Sequence, residues 1–229
     1  MSEIYKGLII AVAIKKGGTG KSSVTINIAP EVDPDVIYDT DDTPAITTAN
    51  KFRREKEQWN VIRLLAKSLN SVSDFINELI TAKEEKKCIL IDCGGFDSAF
   101  TRAAIAAADI IIAPVADDFT DMLGLAEFDS VLHQISKDTG EKKIAYVLLN
   151  KMHPSRKNFS DFEEFISGFE HLVKLDTIIP TDKAIPQKFG EGYGIVEHVA
   201  TRHGRGGNAM RSLFFDLRDI AINIQNKNV

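Results

Sequence analysis

Residues 15–23 read Lys15-Lys16-Gly17-Gly18-Thr19-Gly20-Lys21-Ser22-Ser23. An apolar run, Leu8 to Ile14, precedes them, and a helical pattern, Ser22 to Ala29, follows. Strand, glycine-rich turn and helix, in that order, form the context in which such a loop wraps a polyphosphate. The glycines let successive backbone N–H groups converge on phosphate oxygens, and the helix N-terminus adds a favourable dipole. In that arrangement Lys21 reaches the β- and γ-phosphates and the Ser22 hydroxyl ligands magnesium. The nucleotide set is then Lys16, Gly17, Gly18, Thr19, Gly20, Lys21, Ser22 and Ser23. The alternative is a plain strand-to-helix turn.

Working outward, the apolar runs are short and rich in Val and Ile: Val36 to Tyr38, Val61 to Leu65, Cys88 to Ile91, Ile110 to Val115, Ile144 to Leu149 and Val173 to Ile179. Helical patterns separate many of them, at Val72 to Lys83, Ser98 to Ala108, near 121–136, near 160–168 and at Met210 to Ile224. Pro30 is expected to stop the first helix. Near-continuously apolar strands alternating with helices predict an α/β fold: a mostly parallel twisted sheet with helices on both faces. Ligands of such sheets bind beyond the carboxyl ends of the strands. A single domain over residues 1–229 is expected at this length, with no further domain ahead of the strand that begins near Leu8.

The chain has 44% hydrophobic and 27% charged residues, and a net charge of −5 that gives no general attraction to nucleic acid. Any DNA contact needs a local basic patch. No run approaches the roughly 20 apolar residues of a membrane span, and Met1 to Gly7 does not read as a signal peptide. Cys88 and Cys93 are the only cysteines and read as buried thiols of a reducing cytosol, so a cytoplasmic location is expected.

Two strands end in acid. Asp39-Thr40-Asp41 closes the second, and carboxylates spaced by one residue in extended chain point the same way. Ile89-Leu90-Ile91-Asp92 is an apolar run ending in aspartate, which would accept from a magnesium-bound water. Cys93-Gly94-Gly95 then makes a turn suited to a γ-phosphate-sensing switch. The alternative for 39–42 is a solvated acidic turn.

The loop lacks the usual first glycine, whose place Lys15 takes. It resembles the deviant Walker A motif, Lys-Gly-Gly-x-Gly-Lys-Ser/Thr, of the ParA/MinD family of P-loop ATPases. The resemblance covers most of the chain, is sharp at 15–23, fair at 36–42 and 88–95, and thin from 116 onward. It implies ATP and Mg2+ as cofactors, and a homodimer in the ATP state. It makes Lys16 the signature lysine, which crosses to the partner's nucleotide. A second positive charge would then offset charge on the transferring phosphate only in the dimer; the alternative is a solvated loop lysine. By the same resemblance Lys16, Lys21 and Asp41 are catalytic, with Asp41 positioning the attacking water. Ser22, Asp39 and Asp92 serve the metal, and Asn150 and Pro180 contact the adenine. Asp42-Thr43-Pro44 departs from the family's Pro-Gln after Asp-x-Asp. Residues 44–60, with Asn50, Arg53, Arg54 and Trp59, most resemble small plasmid ParA-type proteins.

The resemblance leaves several outputs open. In DNA partition the ATP dimer binds non-specific DNA, is associated with the nucleoid, and is stimulated by a DNA-bound partner of the centromere-binding type. The candidate patch is the glycine-rich segment 201–207, with Arg202, Arg205 and Arg211; its alternative is a solvated surface loop. A MinD-like or transfer-associated positioning ATPase or adaptor of low turnover is the second reading. A metabolic ligase of the dethiobiotin synthetase type is the third. The apolar stripe Leu213, Phe214, Leu217, Ile220, Ala221 and Ile224 lacks the lysine-rich opposite face anionic lipid favours, so it is expected to pack on the domain rather than on membrane.

Overall fold

The structure is a computed structural model that describes residues 2–64, 71–95, 97–116 and 118–227. In chain order the elements are β1 Ile9–Val12, α1 Lys21–Val32, β2 Val36–Asp39, α2 Ala45–Asn50, β3 Val61–Arg63, α3 Ser71–Glu84, β4 Ile89–Asp92 and α4 Ala99–Ala107. There follow β5 Ile110–Val115, α5 Phe119–Thr139, β6 Ala145–Met152, α6 Ser160–Ser167, β7 Leu172–Pro180, α7 Ala184–Gly190, α8 Val199–Arg202 and α9 Arg205–Lys227. The strands form one parallel sheet in the order β3-β2-β4-β1-β5-β6-β7.

The sheet is buried on both faces, as its unbroken apolar strands require. Successive residues of β1 go to opposite layers: Ile9 and Ala11 pack with Phe75, Phe100 and Phe128, while Ile10 and Val12 pack with Ile28, Leu213 and Leu217. Strand order reverses about β1, with β4 on one side and β5 on the other. That reversal opens a crevice at the carboxyl end of β1, where the glycine-rich loop lies.

Two expectations need correction. α1 does not stop at Pro30 but runs on to Val32, with Ala29 and Val32 fully buried. Pro30 falls in the last turn, where one lost backbone bond is a small loss beside the burial of two apolar side chains. Segment 201–207 is not a loop: α8 ends at Arg202 and α9 begins at Arg205. Gly206 and Gly207 are buried inside α9, where a Cβ on Gly207 would stand 2.5 Å from the carbonyl oxygens of Thr201 and Arg202. Both glycines let elements approach closely. The short helices α2 and α7 carry no long apolar period and were not anticipated. Of the third strand, Val61 to Arg63 is seen and Leu65 lies outside the described residues.

α9 packs on the domain, with Leu213, Phe214, Leu217, Ile220 and Ala221 buried. Arg218 joins it to Glu31 of α1 through two hydrogen bonds, the longer 2.8 Å. No helix of the described residues is long and apolar enough to cross a membrane. Arg53, expected as a mark of kinship, has a structural task. It is buried, bonds both Glu197 carboxylate oxygens at 2.7 and 3.1 Å, and lies 3.6 Å over the Trp59 ring. Asn50 brackets Trp59 by two hydrogen bonds of 3.0 Å to its main chain.

Candidate nucleotide site

The loop leaves β1 at Val12 and re-enters structure at Lys21, the first residue of α1. Gly18 and Gly20 hold φ of +80° and +99°, which L side chains rarely adopt. A Cβ on Gly20 would also run into the Asn150 amide. Two side chains from the end of β6 fasten the loop: Asn150 Nδ2 donates to the Thr19 carbonyl at 2.8 Å, and Lys151 Nζ to the Gly18 carbonyl at 2.6 Å. The bonds hold the loop at a cleft that Asn150, Lys151 and the loop glycines line together. The cleft has a volume of about 470 Å³ and is lined by the loop, Asp41, Asn150, Pro180 and α7 residues that include Phe189.

Lys21 is buried and its ammonium bonds the Lys16 carbonyl at 2.7 Å. Burial pushes its pKa down, and the Asp92 and Asp41 carboxylates oppose that. A buried cation with one neutral acceptor is poised to take a polyanion.

Lys16 stands elsewhere. Its ammonium pairs with Asp121 and Thr120 at the start of α5, the latter at 2.6 Å, with Asp118 at 3.6 Å. Asp121 is buried and also accepts from Ala116 N at 2.5 Å. The hydrogen bond to Asp121 is the main reason the Lys16 pKa is raised. Thus the side chain implied to reach a second protomer is held within its own chain. Nothing in the motif announced this; Asp118 as a helix N-cap three residues ahead of Asp121 was the available signal.

The acidic strand ends come together. β2 and β4 are neighbours with Asp39 opposite Asp92, both fully buried. Thr40 stitches the two turns: its amide donates to the Asp92 carbonyl at 3.0 Å, and its hydroxyl accepts from Gly94 N at 3.2 Å. Asp92 Oδ1 accepts from the Thr25 hydroxyl at 2.8 Å, while Oδ2 is buried without a partner among the described residues. Burial raises its pKa to about 7, partly opposed by the Ser22 and Thr25 hydroxyls. The orphaned oxygen beside Ser22 fits a hydrated divalent cation, which would supply its missing hydrogen bond.

Asp39 has two ties of its own. Its Oδ2 accepts from the Thr47 amide and hydroxyl at 2.9 and 2.7 Å, anchoring α2. Burial again raises its pKa. Asp41 lines the cleft and its Oδ1 accepts from Thr43 N at 3.0 Å, a turn closed over the unexpected 42–44 segment. Thr25 and Thr47 carry no signal in the sequence, since isolated threonines form no pattern, while Thr40 and Lys151 lie inside the expected site segments 39–41 and 148–151 without a role of their own.

Of the basic candidates, Arg205 is exposed. Arg202 is half-buried and bonds the Glu197 carbonyl at 3.5 Å. Arg211 turns back onto the Arg202 carbonyl at 2.8 Å and onto Asn208. Cys88 and Cys93 are buried, and burial pushes the Cys88 thiol up to about 12.

The loop, the sheet order and the paired acids are those of the P-loop α/β fold. Among proteins of that fold the chain is similar to the ParA/MinD ATPases, in loop motif, in fold and in family model: the model for ATPase MipZ matches residues 47–149. Among solved structures it is similar to apo McdA of Cyanothece (13% identity, TM-score 0.66, 89% of this chain and 98% of that one). It is similar also to septum site-determining MinD of Pyrococcus horikoshii complexed with Mg-ADP (18%, 0.64, 92% and 95%). A third is a ParA family ATPase of Chlorobium tepidum (12%, 0.66, 92% and 98%). No curated protein sequence matches it.

Proposed function

We propose that the chain is an ATP- and magnesium-dependent dimerising ATPase that positions a cargo, of the kind that partitions DNA, and that residues 1–229 act as one P-loop domain. The observation that carries this is the loop itself: glycines that line the cleft, a buried Lys21 that pairs with no carboxylate among the described residues, and an Asp92 oxygen without a hydrogen-bond partner among them. ATP would supply the phosphoanhydride, and magnesium would neutralise part of the charge on its phosphates. Loop amides and Lys21 would bind the phosphate charge, Ser22 and Asp92 would hold the metal, and Asp39 would support them from the next strand. Asn150 and Pro180 border the base. Asp41 stands where a carboxylate can orient water, once its bond to Thr43 opens. Lys16 leaves Asp121 and meets the nucleotide of a second protomer, so that dimer formation and transition-state charge compensation coincide. The neighbours' nucleotide and magnesium contents support this reading.

For the output, Arg205 is the side chain free to meet a DNA backbone, with Arg202 and Arg211 reaching it after local rotation. A DNA-bound protein partner would stimulate hydrolysis. A second reading, a low-turnover adaptor, draws support from the hydrogen bonds that occupy Asp39 and Asp41. Phosphate release, measured with Mg-ATP alone, with DNA, and at rising salt, separates the two. A rate that DNA and every candidate partner leave near zero favours the adaptor. Failure of the protein to bind ATP at all defeats both.

A further inference from the structure

A second cluster lies at the other end of the sheet. α5 runs antiparallel to the strands, so its last turns meet the amino end of β7, opposite the nucleotide loop. There Asp129 Oδ1 accepts from His171 N at 3.0 Å, fixing the start of β7 to α5. One turn along α5 from Asp129 stands His133, on the same face. Its ring meets that of His171 edge-on, with centroids 5.5 Å apart. One ligand atom each from His133, Glu170 and His171 lie within 4.8 Å of one another.

His171 is the informative member. Its side chain is buried, and Nδ1 lies 2.8 Å from the Lys143 carbonyl. A carbonyl accepts only, so Nδ1 carries the proton and Nε2 presents a lone pair. That Nε2 is buried and has no hydrogen-bond partner among the described residues. Backbone-carbonyl orientation of the far nitrogen is the arrangement metal-binding histidines use, since it fixes both tautomer and ring. Ser136, at 3.5 Å from Nδ1, holds the same side of the ring.

The other two members are exposed. Glu170 pairs with Lys142 at 3.0 Å, both side chains more than half exposed. Such a surface pair is worth little and yields readily to a divalent ion. Zinc ligand atoms about 2.0–2.2 Å from the metal stand roughly 3.3 Å apart. Rotation of the exposed His133 and Glu170 side chains closes that gap, with His171 as the fixed point.

We propose that His133, Glu170 and His171 bind one divalent transition-metal ion of the zinc type, with water completing its coordination. Two imidazoles and one carboxylate suit zinc, cobalt or nickel rather than magnesium or calcium. The ion would tie the end of α5 to the entry of β7.

The test uses the full chain stripped with chelator, then titrated with zinc chloride in a calorimeter and with cobalt(II) by visible absorption. One ion per chain is expected, with a cobalt d–d spectrum, and a rise in Tm on adding zinc. His133→Ala and Glu170→Gln should each weaken zinc by about tenfold or more, while His153→Ala leaves it unchanged. Both are surface substitutions and should fold and bind ATP normally. His171→Ala should abolish the cobalt spectrum, but its burial makes the two surface variants the deciding ones. Absence of saturable binding, or wild-type zinc affinity in both His133→Ala and Glu170→Gln, overturns the proposal.

Discussion

Two segments of this chain combine glycine with basic residues, 15–23 and 201–207, and they use glycine for opposite purposes. In the first, Gly18 and Gly20 take positive φ where the main chain turns along the wall of a cleft. In the second, Gly206 and Gly207 sit inside a helix because any side chain would strike Asp182 or the carbonyls of α8. One arrangement makes polar backbone available; the other hides it. The basic residues follow suit. Lys21 is buried with one neutral acceptor, whereas Arg202 and Arg211 satisfy neighbouring carbonyls and only Arg205 of the three faces outward. Composition does not tell these apart. What does is the element before each segment, a buried strand in one case and a helix end in the other.

The comparison can be broken at several points. The largest effect is expected for Lys21→Ala, which should weaken ATP by about 100-fold, the loss of strong charge-assisted hydrogen bonds. Calorimetry checks it, and retained affinity would show that the loop does not hold the nucleotide's phosphates. Lys16→Ala should bind nucleotide yet fail to dimerise or turn over. Light scattering with ATP reads this, and an unchanged dimer would leave Lys16 with Asp121 in a purely structural role.

Gly207→Ala tests the other segment. Crowding of the α8 carbonyls should cost about 1–3 kcal/mol, read as a lower urea midpoint, with ATP affinity of the folded protein intact. A neutral outcome would mean that α8 can move aside.

Asp92→Asn probes the buried acid pair in metal-free, nucleotide-free protein. The folded-state pKa of Asp92 is raised to about 7, so ionising it opposes folding. The native state takes up that proton as pH falls through about 7, and stability should therefore rise between pH 8 and pH 5 on this account. The variant should melt higher than wild type at pH 8, lose that part of the pH dependence, and lose Mg-ATP turnover. A lower melting temperature at pH 8 would show that the orphaned oxygen is not a source of strain. The smallest effect is expected for Arg205→Ala, which should weaken DNA binding a few-fold and reduce its salt slope by about one. An unchanged slope would place any DNA contact elsewhere.

The parallel sheet was legible because strands buried on both faces need unbroken Ile and Val runs, and Ile9–Val12, Ile89–Asp92 and Ile110–Val115 display them. The phosphate loop was legible because its chemistry resides in contiguous backbone. α2, α7 and the course of α1 through Pro30 were not, since packing rather than local preference holds them.

By itself, then, the sequence determined the layer architecture and the place and order of the loop, Asp39 and Asp92, since these depend on local periodicity and on neighbours along the chain. Only the tertiary structure decided that Lys16 is held by Asp121, that Asn150 and Lys151 fasten the loop, that the arginines of 201–211 mostly turn inward, and that His133 meets His171. Each of these joins residues on separate elements, and no local preference encodes a contact made across a sheet.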